Sequence, residues 1–215
     1  MLGGLINKGF QDKENFIVST RSEGSRKNLE DKYGVKAVLS NIEVANESDV
    51  LILAVKPYMY KDVIDEIKEA LRKDQIIISI AAGIDIKDLT EMIGEGFKIV
   101  KTMPNTPALV GEGMSAICTN DNVSKEELDY VCSMFESFGR YEILNEEDFH
   151  GFIALCGSSP AYVFMFIEAM ADSAVNLGIP RNKAYKMAAQ SVLGSAKMVL
   201  DTGCLLYTSP SPRDA

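Results

Sequence analysis

The chain has 215 residues, 47% hydrophobic and 25% charged, with 22 Lys plus Arg against 31 Asp plus Glu and a formal net charge of −9. These proportions suit a globular chain with one large domain or two modest ones, long enough to bury a core. The acidic balance excludes a polyanion-binding surface, and nucleic acid as the main partner, but leaves room for a small phosphorylated ligand held by one or two basic side chains.

Residues 15–19 (NFIVS) read as a strand, and the polar stretch 25–33 as a helix ended by Gly34. After a short strand at 35–38, Ser40 and Glu43 have the spacing of a capping box and predict a helix start. Residues 49–55 form a near-continuous apolar strand of the kind buried on both faces of a parallel sheet. Its run Val50-Leu51-Ile52-Leu53-Ala54-Val55 is far too short to cross a bilayer. A helix over 58–71, a strand over 75–80, a helix over 86–93 and strands over 98–103 and 114–119 follow. Ser124 and Glu127 form a second capping box, opening a helix to about residue 138. Strands alternating with helices in this way predict an α/β, doubly wound (Rossmann-like) parallel sheet over residues 1–145.

Beyond Ile143 the period changes. Residues 146–203 read as all-helical, broken at Gly157-Ser158-Ser159-Pro160 and at Gly178-Ile179-Pro180, with each proline suited to a first helical turn. The stretch 161–177 is apolar nearly all round, so its burial predicts a partner subunit: a homo-oligomer formed through the C-terminal helices. Residues 204–215 (CLLYTSPSPRDA) fit neither pattern and read as a foreign, disordered tail. The start, Met1-Leu2-Gly3-Gly4-Leu5-Ile6, has no basic stretch of the kind that opens a secretory leader.

Cys118, Cys132, Cys156 and Cys204 are widely spaced and His150 is the one histidine. That disfavours a zinc site and points to free thiols in a reducing cytosol, hence a cytoplasmic protein. Cys156 and His150 are too far apart in sequence to be helical neighbours, so they do not read as a nucleophile and its base. No metal is expected, and no catalytic side chain is assigned.

Ligands of a doubly wound sheet bind at the carboxyl ends of its strands. Here those ends read Ser19-Thr20-Arg21, Ala54-Val55-Lys56-Pro57, Ala81-Ala82-Gly83 and Met103-Pro104-Asn105-Thr106-Pro107. Small residues and prolines there leave backbone open to a flat ligand. After the second strand, a sheet that prefers NAD places an acid for the ribose 2′-hydroxyl. Ser19, Thr20 and Arg21 instead offer hydroxyls and a guanidinium, which suit a 2′-phosphate. The expected G-x-G-x-x-G is absent: Gly3-Gly4 and Gly9 follow no strand, and the chain reads as starting inside the helix such a loop would open.

At Ala54-Val55-Lys56-Pro57, Met103-Pro104-Asn105-Thr106-Pro107 and Gly157-Ser158-Ser159-Pro160-Ala161-Tyr162 the chain resembles the pyrroline-5-carboxylate reductases, whose runs are A-V-K-P, M-P-N-T-P and G-S-G-P-A-Y. The three stand in register over residues 1–203. Met1-Leu2-Gly3-Gly4-Leu5 resembles the stretch just after the family's Gly-rich loop, which implies a sheet incomplete at its first strand. Ser159 departs from the family's Gly, and the family's C-terminal substrate-binding segment is not matched.

The resemblance implies reduction of 1-pyrroline-5-carboxylate to L-proline, the last step of proline biosynthesis, with NADPH as hydride donor and NADH also admitted. It places Ser19, Thr20 and Arg21 on the adenosine ribose or its phosphate and Asn41 near the adenine side. It places Ala54, Val55, Lys56, Pro57 and Ala82 along the nicotinamide side. Met103, Pro104, Asn105 and Thr106 would line the floor between cofactor and substrate. It further implies a fragment that does not turn over as written. Two rivals share the pattern. One is an NADP-linked oxidoreductase of the β-hydroxyacid dehydrogenase type, whose catalytic lysine would have to be Lys183, Lys186 or Lys197, none in the expected Gly-rich context. The other is a non-catalytic dinucleotide-binding module.

Overall fold

The computed structural model describes residues 1–203. The tail 204–215, read above as foreign and disordered, lies outside the described residues. Two compact units divide the chain, the first being Met1–Gly157 and the second starting at Ser158.

The first unit opens with α1 (Leu2–Asn7). A 3-10 turn at Lys13–Asn15 then leads into β1 (Ile17–Ser19). Next come α2 (Glu23–Tyr33), β2 (Lys36–Val38), α3 (Asn41–Glu47) and β3 (Val50–Leu53). Then follow α4 (Tyr60–Ile67), flanked by 3-10 turns, β4 (Ile76–Ser79), α5 (Ile86–Ile93) and β5 (Lys98–Pro104). The sheet region ends with β6 (Gly113–Thr119), α6 (Lys125–Glu136) and β7 (Gly139–Ile143). After these, α7 (Phe149–Phe152) runs into a π-helical turn at Ile153–Gly157.

The strands form two sheets. β1 pairs parallel with β2, and the second sheet has the order β3-β4-β5-β6-β7. β1 and β3 are therefore each an edge, where a doubly wound sheet would be continuous. β3, β4 and β5 run parallel, as expected, but β6 is antiparallel to β5. The reason is the connection: only the 3-10 segment Thr106–Val110 and a short turn join the two strands, and a parallel return needs a crossover of a dozen or more residues. β7, parallel to β6, was not foreseen, because Arg140 and Glu142 break the apolar pattern of a short strand at the sheet's outer edge.

Each face of the larger sheet has its own core. On one, Leu51, Leu53, Ile77 and Ile99 meet Tyr60, Ile64 and Ile67 of α4 and Leu89 and Ile93 of α5. On the other, Ile76, Ile78, Val100 and Ile117 meet Leu5 of α1 and Val131, Phe135 and Phe138 on and after α6. Gly4 makes the second contact possible, since a Cβ there would lie 2.7 Å from the Cβ of Phe138. Ends are set locally. Gly34 closes α2 in the left-handed conformation, and the Ser124–Glu127 capping box is complete. The Ser40–Glu43 box is half made: Ser40 Oγ accepts from Glu43 N at 3.2 Å, while the Glu43 carboxylate pairs with Lys36 instead.

Residues 146–157, read as the opening of the helical part, fold with the sheet. Phe149 and Phe152 are buried with Ala116 and Cys118 of β6, and Met103 and Cys156 pack against them.

The second unit is a helical hairpin of α8 (Ser159–Asn176) and α9 (Arg181–Thr202). Its buried residues are Ala171, Ala184 and Ala188, while Phe164 and Met165 are each 66% exposed. Pro160 sits in the first turn of α8, as expected, but Pro180 is the N-cap of α9 rather than a first-turn residue. The helical run Glu146–Asn176 is long and apolar enough, by length and composition, to cross a membrane. The break read at residues 157–160 coincides with the boundary between the two units, where the π-helical turn ends at Gly157 and α8 starts at Ser159.

Candidate active site

The carboxyl ends of β3, β4 and β5 lie on one edge because the three strands are parallel. Along that edge Ala54, Lys56, Pro57, Ala82 and Thr106 are exposed, and Val55, Met103, Pro104 and Asn105 are half-buried. Gly83 turns the chain after Ala82 at φ +75°, a conformation open to glycine and strained for other residues.

The tip of β1 joins this edge through side chains. Ser19 Oγ donates to Asn41 Oδ1 at 2.6 Å, and Asn41 Nδ2 donates to Glu66 Oε2 of α4 at 2.8 Å. Thr20 is held by its backbone N–H on Val38 O and by its hydroxyl on Ser22 O. The exposed Arg21 guanidinium reaches the Met59 sulfur, just past Pro57. Ser19, Thr20, Arg21, Asn41 and the loop after β3 are thus brought together.

Two polar clusters, each built on buried side chains, hold this edge from behind, and neither was foreseen. In the first, Tyr60 OH donates to Leu53 O at 2.7 Å and meets Ser79 Oγ at 3.0 Å. Ser79 Oγ in turn accepts from Ala81 N, and Thr102 Oγ1 donates to Ser79 O at 3.0 Å. The ends of β3, β4 and β5 are therefore linked by hydroxyls, all fully buried. Burial raises the Tyr60 pKa, against a smaller opposing effect of the Ser79 hydrogen bond, so its proton stays on.

The second cluster centres on Lys101, 5% exposed on β5. Its Nζ donates to Asp85 Oδ1 at 2.6 Å and to Glu146 Oε1 at 3.0 Å, and lies 4.9 Å from the centre of the Phe149 ring. Burial alone would lower the Lys101 pKa, but the two carboxylates together outweigh it and hold the ammonium charged. The Lys101 hydrogen bond depresses the Asp85 pKa in return. Lys101, set between Val100 and Thr102 in the middle of strand 98–103, was the sequence signal for this cluster. Its partners, distant in sequence, gave none.

Asn105 ties the loop after β5 in two directions. Its Nδ2 donates to Cys156 O at 3.0 Å and its Oδ1 accepts from Met114 N at 2.9 Å. The three described cysteines are free. Burial pushes the Cys118 thiol up to about 12 and raises Cys132 and Cys156 as well, so none is an activated nucleophile.

Residues 1–83 match the family model described as "NADP oxidoreductase coenzyme F420-dependent", and residues 146–211 match "Pyrroline-5-carboxylate reductase dimerisation". The chain is 46% identical over 203 residues to a pyrroline-5-carboxylate reductase of Escherichia coli, covering 94% of this chain and 76% of that one. It is 37% identical over 200 residues to one of Arabidopsis thaliana, covering 93% and 72%. Among solved structures, a pyrroline-5-carboxylate reductase of Coxiella burnetii superposes with a TM-score of 0.89 at 32% identity, covering 97% of this chain and 80% of that one. The Plasmodium falciparum enzyme, solved with NADP bound, gives 0.83 at 35% identity, covering 93% and 73%. With both its strand-edge residues and its helical hairpin inside these matches, the chain belongs to the pyrroline-5-carboxylate reductase family.

Proposed function

We propose that the chain is built to reduce the C=N bond of 1-pyrroline-5-carboxylate to L-proline, with NADPH as the preferred hydride donor and NADH the lesser one. The observation that supports this is membership of the family, together with residues 54–57, Ala82 and residues 103–106 along the ends of β3, β4 and β5, and Ser19, Thr20, Arg21 and Asn41 at the end of the neighbouring two-stranded sheet. When bound, the reduced nicotinamide supplies the hydride. Everything else is placement by the chain. The residues present fit that cofactor. Arg21, with the Ser19 and Thr20 hydroxyls, suits a ribose phosphate, and the Glu66 carboxylate nearby is held by Asn41. Asn41 would border the adenine. The exposed backbone of residues 54–57 and Ala82 would wall the nicotinamide, with Met103, Pro104, Asn105 and Thr106 as a floor toward the imine. A protonated cyclic imine accepts hydride without a protein nucleophile, which accords with thiols held protonated.

The same family assignment supports a homo-oligomer through α8 and α9, whose apolar residues are left exposed in the single chain. That destination accounts for the apolarity of 159–176 without a membrane. A cytoplasmic location is part of this proposal and accords with the free thiols.

The test uses a chimera carrying this chain with the remaining segments of the Escherichia coli relative, beside the 215-residue chain alone. Proline formed in step with NADPH consumed supports the proposal. NADPH binding without consumption would favour a non-catalytic module, and oxidation of a β-hydroxyacid with no proline formed would favour the dehydrogenase rival.

A further inference from the structure

Lys101 is an expensive residue to place where it is. Its ammonium is buried, while the Asp85 and Glu146 side chains keep 57% and 34% of their surface exposed. A buried ammonium is tolerated only when paired, and a pair whose carboxylates stay open to water adds little net stability. Its value must therefore lie in what it joins. Asp85 is the N-cap of α5 and follows the turn at Ala82 and Gly83. Glu146 begins the segment that continues through Phe149 and Phe152 to the π-helical turn. Glu146 Oε1 also accepts from Ile86 N at 2.7 Å, so one carboxylate oxygen binds both Lys101 and the first turn of α5. Lys101 itself lies two positions before Met103 on the same strand. The far end of the same segment returns to this strand's loop, because Cys156 O accepts from Asn105 Nδ2 at 3.0 Å.

The clamp is thus closed at both ends. Lys101 fixes the start of 146–157 and the turn after β4, and Asn105 fixes its finish. We propose that Lys101 is a positioning residue: through Asp85 and Glu146 it sets the Ala82 turn and the loop 103–106 in register, so that nicotinamide wall and substrate floor face each other at the distance hydride transfer needs. It touches neither cofactor nor substrate. This rests on the functional reading above, so the test has one arm that does not depend on turnover.

The first arm measures amide hydrogen exchange on the 215-residue chain, comparing wild type with Lys101→Met, Lys101→Arg and the charge-free triple variant Lys101→Met/Asp85→Asn/Glu146→Gln. The expected result is exchange at least tenfold faster in 81–86, 103–106 and 146–157 for Lys101→Met. β3 and α4 should keep wild-type rates, and Lys101→Arg should be largely restored. The triple variant, with no unpaired charge, should fold as well as wild type yet still exchange fast in those three segments. Uniformly faster exchange, or wild-type rates in the triple variant, would overturn the proposal and leave Lys101 a stability residue only. The second arm measures the deuterium isotope effect on hydride transfer in the active chimera. A misplaced hydride path raises the observed effect in Lys101→Met and in the triple variant, whereas a smaller folded fraction leaves it unchanged. If wild-type chimera forms no proline, the functional reading fails and the exchange arm still decides whether Lys101 couples the three segments.

Discussion

The Asn105 side-chain amide and the Cys156 carbonyl meet at 3.0 Å, joining the loop after β5 to the π-helical turn. The other end of that amide accepts from Met114 N. Asn105→Ala removes both bonds and leaves a backbone donor and acceptor half-buried, a loss of about 1–3 kcal/mol in urea unfolding. Asn105→Asp keeps the acceptor for Met114 but turns a carboxylate toward a carbonyl, so it should be no better. If Asp restores wild-type stability, the Cys156 contact contributes nothing.

Arg21→Ala should raise the Michaelis constant for NADPH roughly tenfold or more, as expected for losing a charge-assisted contact of about 1.5–3 kcal/mol. NADH, lacking the 2′-phosphate, should be little affected. Steady-state kinetics with both cofactors on the chimera checks this, and equal effects would remove Arg21 from the phosphate site.

Tyr60→Phe deletes a hydroxyl that serves Leu53 O and Ser79 Oγ in a fully buried place. A cost of about 1–3 kcal/mol is expected from the groups left unpaired. Ser79→Ala should cost a similar amount, and the double variant less than the sum, because both remove one network. Additive losses in chemical denaturation would mean the hydroxyls act separately.

Cys118 is 7% exposed and its thiol is pushed up to about 12 by burial, with the Glu146 charge adding to the effect. Thiol reagents at pH 8 should modify it far more slowly in the native chain than in denaturant. The sign of the pH effect follows. The unfolded thiol loses its proton near pH 9 while the folded one keeps it, so stability falls as pH rises from about 9 toward 12. Thermal melts across that range should show a shallower decline for Cys118→Ala. An unchanged slope would show that Cys118 is not responsible.

Phe164 is 66% exposed on α8, within the run matched to the dimerisation model. Phe164→Glu should leave the helical hairpin folded by circular dichroism but raise the concentration needed for assembly at least tenfold, as read by light scattering. Assembly unaffected by this change would place the interface elsewhere.

Much of the fold was legible because it rests on short-range chemistry. Serine and glutamate at capping distance marked Ser124, and apolar runs bounded by small residues marked β3, β4 and β5. β7 escaped because an outer-edge strand buries little, so Arg140 and Glu142 erase the apolar pattern. The direction of β6 escaped because strand patterns carry no sense of direction; only the short link from β5 decides it.

For the site, the sequence by itself determined which residues stand at strand ends, since a strand-to-turn boundary is local: Ser19, Thr20, Arg21, residues 54–57, Ala82 and residues 103–106. Only the tertiary structure decided what holds them. Tyr60 finds Ser79, Lys101 finds Asp85 and Glu146, and Asn105 finds Cys156 across long stretches of chain. Such pairings have no period or motif, because a hydrogen bond asks only that two groups arrive within about 3 Å, whatever their separation in sequence.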